Sequence, residues 1–175
     1  MTEQQEPRCT ITIAEGLDLQ PAMPRSAFDR LAVQAVKIMD ALGLAPDTEL
    51  SIQIVTDENM QQLNQAYRGV DSPTDVLSFT PDPLPPEIAE AEAPYLGDLI
   101  IAYHYTLNAA QEAGHYPPDE FALLVVHGML HLAGYDHDMP ENQRNMWAKQ
   151  AELLSLLNID LTVPDFIHHE DEHAD

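Results

Sequence analysis

The sequence predicts an α+β domain, with a small mixed four-stranded sheet packed against about five helices. Three observations carry this. Four short segments have the length and apolar pattern of strands. Segments with a 3.6-residue apolar period lie between and after them, in an order that does not strictly alternate. The chain has 175 residues, one domain's worth, and can bury a core without a covalent staple.

Each element has its own signal. Residues 9–14, CTITIA, alternate as a strand does. Ser26 is a candidate helix cap. After it Phe28, Leu31, Ala32, Ala35, Met39 and Leu42 share one helical face that ends near Gly43. ELSIQIVTD (49–57) sets Leu50, Ile52 and Ile54 against polar neighbours as a second strand. ENMQQLNQAYR follows as a short helix with Asp57 as its expected cap. Pro73 precedes a third short strand, TDVLSF (74–79). TPDPLPPEIAEAEAPY (80–95) has five prolines and four acids, which predicts an irregular loop, either a solvated surface segment or a lid over a site. GDLIIAY (97–103), nearly all apolar, reads as an internal fourth strand, and a helix follows through Gln111 to Gly114. HYPPDE breaks the chain, with Asp119 expected to cap the helix EFALLVVHGMLHLA. A last helix covers roughly residues 141–158. Two strands separated by one helix also allow a βαβ unit. Residues 1–160 are expected to form a single domain, and 161–175 an acidic, histidine-containing, disordered tail.

Composition narrows the function. The lone Cys9 excludes an internal disulfide framework and a cysteine zinc site, and suits a reducing compartment. The N-terminal MTEQQEPRC has no apolar targeting core, and the longest apolar runs, such as FALLVV, fall far short of a membrane span. A soluble, cytoplasmic protein with no membrane partner is expected. Seven Lys and Arg stand against 30 Asp and Glu, a formal net charge of -23. Such a surface repels phosphate backbones at long range, which argues against DNA or any general nucleic-acid binding.

The chemistry concentrates in HGMLHLAGYDH, His127 to His137. His127 and His131 stand four apart on a helix that is apolar nearly all round, so they lie on one face about 6 Å apart along the axis. Two histidines buried there need partners for their ring nitrogens, and a metal ion supplies one. Gly134 is placed to stop the helix in a left-handed conformation, letting His137 return to the same ion. Three imidazoles with a fourth position open is a catalytic rather than a structural zinc arrangement. The competing readings are hydrogen-bonded histidines without metal, or a purely structural ion. The spacing is that of metzincin proteases, yet Gly128 stands where those enzymes carry their catalytic glutamate.

A second feature is Arg68, which is the only Lys or Arg between residues 38 and 143. It either makes a salt bridge, to Asp71 or Asp75, or aims its guanidinium at an anionic substrate or transition state.

Together, YRGVDSPTDVLSF, LGDLII and HGMLHLAGYDH, in that order and at plausible separations, resemble the YbeY family of bacterial endoribonucleases over roughly residues 50–157. The resemblance implies a small α+β metalloprotein with a zincin-like histidine helix and one zinc held by His127, His131 and His137. It implies that Arg68 is required for activity. It also implies single-strand-specific cleavage of ribosomal RNA in rRNA maturation and ribosome quality control. RNA carries its own nucleophile, the 2′-OH, and zinc can either polarise the phosphoryl oxygen or bind an attacking water as hydroxide, so the missing glutamate at 128 is not prohibitive. Asp136 is a candidate base, or a residue that orients a ligand histidine. Given the acidic surface, basic ribosomal proteins or the small subunit are expected to deliver the substrate. The alternatives are a non-catalytic, metal-containing ribosome-assembly factor and, against the evidence of Gly128, a metallopeptidase.

Overall fold

Alternation along the strands sorts the core onto the two faces of one sheet. In the computed structural model, which describes residues 6–161, the chain order starts β1 (Cys9–Ile13), α1 (Arg25–Ala41), β2 (Glu49–Val55), α2 (Asp57–Arg68), β3 (Val76–Phe79). It continues α3 (Pro86–Ala89), β4 (Tyr95–Ala102), α4 (Tyr103–Ala113), α5 (Pro117–Leu132), α6 (Pro140–Leu156). Apart from Leu161, the tail expected over 161–175, with its histidines, lies outside the described residues.

The sheet order is β1-β2-β4-β3. β1 runs parallel to β2, and β2 parallel to β4, while β3 closes one edge antiparallel to β4 with Ser78 opposite Leu99. The sheet is therefore mixed, as the sequence predicts, and β1–α1–β2 forms a βαβ unit, which the sequence allowed. Leu50, Ile52 and Ile54 of β2 and Leu99 and Ile101 of β4 join a large core with α1 and α5. The residues between, Ile100 and Ala102, turn to the other face with Val55 and Leu77, where Met60 of α2 packs. Both faces are thus covered.

α5 is the central helix. Every residue from Glu120 to Leu132 except His131 is buried. Each fully buried Leu, Val or Phe contributes roughly 1.5–3 kcal/mol of transfer free energy, so whatever α5 carries is fixed by the core. Cys9 is also buried, and burial pushes its thiol up to about 12, which leaves it protonated and inert at neutral pH.

The helix starts differ from expectation in an instructive way. Ser26 does not cap α1; the cap position is Pro24, with no side-chain bond. For α2 the cap is Thr56, whose hydroxyl accepts the Asn59 N–H at 3.1 Å. Asp57 instead accepts the N–H of Tyr105 at 3.0 Å, tying α2 to the start of α4. Asp119 lies in the first turn of α5, which begins at Pro117 after Tyr116. Pro86, Pro117 and Pro140 all open helices, because the first helical N–H groups have no intrahelical partner for proline to lose. For that reason the proline-rich segment is not wholly irregular: it contains the short α3, and β4 already begins at Tyr95. Among the described residues no helix is long and apolar enough to cross a membrane.

Candidate metal centre and cleft

Two histidines reach the site by helical register and a third by the way the helix ends. His127 and His131 lie one turn apart on α5, with their Nε2 atoms 3.0 Å apart. The helix then closes with two bonds, Gly134 N–H to His131 O at 3.0 Å and Tyr135 N–H to Leu130 O at 2.9 Å. Gly134 has φ +97°, the left-handed region foreseen from the sequence. This stop reverses the chain, and the Asp136 carboxylate accepts the backbone N–H of His137 at 2.7 Å. His137 thereby returns beside the helix. One ligand atom from each of His127, His131 and His137 lies within 4.8 Å of the others. His127 is buried, and the other two are half-buried.

This donor set fits a metal ion. All three donors are imidazoles, the separation suits one shared ion, and the half-buried pair leaves a side open to a cleft. Gly134→Val is expected to lower stability by at least roughly 1–2 kcal/mol, since a branched side chain must enter the left-handed region. Zinc affinity should fall with it, because His137 depends on this turn; melting temperature and a zinc titration check both. An unchanged melt and affinity would show that His137 reaches the ion by another route.

The cleft, about 330 Å³, runs along the edge strand. Thr74 to Ser78 form one wall, the three histidines and Asp136 another, and Arg68 enters from the end of α2. Arg68 is placed by the left-handed Gly69 that stops α2, and by a return loop that Asn64 and Gln61 hold. The Asn64 amide donates to Ser72 O at 2.8 Å, and the Gln61 amide to the Asp71 carboxylate at 3.0 Å. Among the described residues lining this space, Arg68 is the one Lys or Arg.

The structure also explains Gly128. A Cβ there would stand 2.6 Å from Leu99 Cδ2 and 3.3 Å from Ser78 Oγ, so glycine lets α5 approach β4 and β3 closely. Leu99 is fully buried and has little room to yield. Gly128→Glu is therefore expected to cost stability, at least the roughly 1–3 kcal/mol of overpacking, and to yield no casein hydrolysis. Metal-dependent casein cleavage by either the variant or the parent would reopen the peptidase reading.

Two residues escaped the sequence reading. On α6, Gln150 Oε1 lies 3.1 Å from His127 Nδ1 in a buried contact. Trp147, one turn earlier, sits with its ring 6.4 Å from that of His127 and 5.8 Å from that of His137. The available signal was a polar residue, Gln150, on the buried stripe of Met146, Leu153 and Leu154.

A buried helix that carries two histidines one turn apart, and stops on a glycine so that a third joins them, places the protein among small α+β proteins of the zincin-like kind. The comparisons identify the branch. The family described as Endoribonuclease YbeY matches residues 18–158. A Roseiflexus sp. protein named endoribonuclease YbeY is 42% identical over 149 residues, covering 82% of this chain and 93% of that one. Its Thermobifida fusca counterpart is 43% identical over 129 residues, covering 73% and 83%. The solution structure of a Thermotoga maritima protein superposes with a TM-score of 0.56 at 25% identity, covering 94% of this chain and 91% of that one. The chain belongs to the YbeY endoribonuclease family.

Proposed function

We propose that the protein is a zinc-dependent, single-strand-specific endoribonuclease of the cytoplasm, acting on ribosomal RNA in rRNA maturation and ribosome quality control. The observation that carries this reading is the cleft in which Arg68 faces the same space as His127, His131 and His137. A phosphodiester is anionic and gains charge as it passes through a phosphorane. A guanidinium is planar, always charged and able to make two parallel hydrogen bonds to phosphate oxygens. When bound by the three histidines, one zinc ion supplies a Lewis acid at the phosphoryl group.

The remaining work falls to the chain. His127 and His131 are held by a helix buried in the core, so their positions do not depend on substrate. Arg68 binds and orients the scissile phosphate and neutralises its growing charge. The wall of Thr74–Ser78 borders the strand on the other side. With Gly128 in place of a glutamate, no peptidase-like base stands on the helix; the attacking group in this reading is either the RNA 2′-OH or a water held by the ion, and Asp136, which lines the cleft, is the candidate to take its proton.

The net charge of -23 opposes free diffusion onto RNA. Basic ribosomal proteins or the small subunit therefore deliver the substrate in this reading, and neither DNA nor membrane is a partner. The deciding experiment compares cleavage of a single-stranded ribosomal RNA fragment, its duplex form and casein, with and without chelator. Cleavage of the single strand alone, lost with chelator and restored by zinc, is the expected result. Chelator-resistant cleavage, or none in any condition with zinc bound, would refute it.

A further inference from the structure

Gln150 is only 2% exposed, and its carbonyl oxygen meets the one His127 nitrogen that faces away from the cleft. A carbonyl oxygen can only accept a hydrogen bond, so Nδ1 of His127 must carry the ring proton. In a neutral imidazole, Nε2 is then the atom with the free electron pair. Nε2 is also the atom that lies 3.0 Å from Nε2 of His131, on the cleft side. The opposite amide orientation would leave the lone pair on Nδ1 and a proton on Nε2, and His127 could not donate to an ion there.

We propose that Gln150 is a positioning residue that locks His127 into its Nδ1–H tautomer and does so without adding charge to the site. The inference rests on the reading of the triad as a metal site. Ligand histidines usually donate their other N–H to a carboxylate, a backbone carbonyl or water. At 2% exposure, water is a poor substitute for the amide. A carboxylate would make the ring a stronger donor and offset part of the ion's charge. In a chain with 30 acids and seven Lys and Arg, a neutral acceptor preserves the positive charge offered to an anion. Glutamine is the side chain that supplies the oxygen at this length without the charge.

The test uses the full chain and the variants Gln150→Met and Gln150→Glu. Nitrogen NMR of the metal-free protein, under conditions where the ring is neutral, reads the His127 tautomer. Trp147, the sole tryptophan, stands beside two of the three histidines and reports zinc binding by fluorescence. The wild type should show the Nδ1–H form. Gln150→Met should lose that preference and bind zinc roughly 10- to 100-fold more weakly. Gln150→Glu should keep the tautomer and bind zinc at least as tightly as wild type, yet the zinc-loaded variant should bind inorganic phosphate more weakly than wild type.

A Met variant with wild-type tautomer and affinity overturns the positioning role, as does a Glu variant no better than Met. Equal phosphate affinity in Glu variant and wild type overturns the charge argument. Should the Met variant fail to fold, the Glu variant and the wild-type tautomer still decide. A wild type that shows the Nδ1–H tautomer but takes up no zinc refutes the metal reading instead and leaves the orienting contact standing.

Discussion

His127→Ala is expected to abolish zinc binding and RNA cleavage together. The residue is 4% exposed and sits at the centre of the site, 3.0 Å from His131 and 3.1 Å from Gln150. Its removal leaves two donors where three are needed, and a catalytic zinc site does not persist on two histidines. The rate should fall by more than the roughly 100- to 1000-fold that a single lost transition-state donor causes. Stability should fall as well. Gln150 loses the donor its buried oxygen accepts from, a cost of about 1–3 kcal/mol, and truncating a buried ring leaves a cavity. His131→Ala and His137→Ala should also lose the metal, with a smaller stability cost because both side chains are half-buried. Elemental analysis of the three purified variants provides the measurement. Full stoichiometric zinc in all three would remove the triad from consideration as ligands.

Arg68→Ala should leave the fold and the metal in place and still slow the chemical step by roughly 100- to 1000-fold, or about 2.7–4 kcal/mol. Arg68 is half-buried at the end of α2 and lines the same cleft as the histidines, with no other Lys or Arg lining it among the described residues. A contact that strengthens as charge grows on phosphorus acts on the transition state more than on binding. Arg68→Lys should rescue only part of the loss, because an ammonium cannot make two parallel bonds. A purely structural salt bridge predicts the reverse: a lower melting temperature, with activity per folded molecule nearly unchanged. Single-turnover cleavage of a single-stranded RNA, at matched zinc content and melting temperature, separates the two. An Ala variant that cleaves at close to the wild-type rate would leave Arg68 a scaffold residue.

What the sequence revealed and what it hid divide along one line. Periodicity located the four strands and the long helices, because burial of Leu50, Ile52 and Ile54 or of Phe28, Leu31 and Ala35 repeats at a spacing set by the element itself. The histidine helix was legible for the same reason, and its stop at Gly134 because only a few residue types tolerate that backbone. Pro86 and Pro117 misled, since proline ends a helix interior but opens a first turn, and sequence alone does not say which. The packing role of Gly128 and the contact of Gln150 were silent for a different reason. One answers to Leu99 and Ser78, the other to His127, and these partners are distant in the chain. No local pattern encodes such a demand.

The manner in which α5 ends divides the three histidines between two kinds of backbone. The amides of His127 and His131 lie within a helix buried almost throughout, and their exchange with solvent water requires opening of the core. His137 follows the stop at Gly134, in a stretch where Gly134, Asp136, Asp138 and Met139 are exposed. Its segment can open locally while α5 stays closed. Were the three histidines to hold a metal ion, His127 and His131 would present a rigid pair of donors and His137 would close as a looser third arm. Such a centre would exchange its ion at the rate of a loop, while the helix that defines it keeps the lifetime of the whole fold.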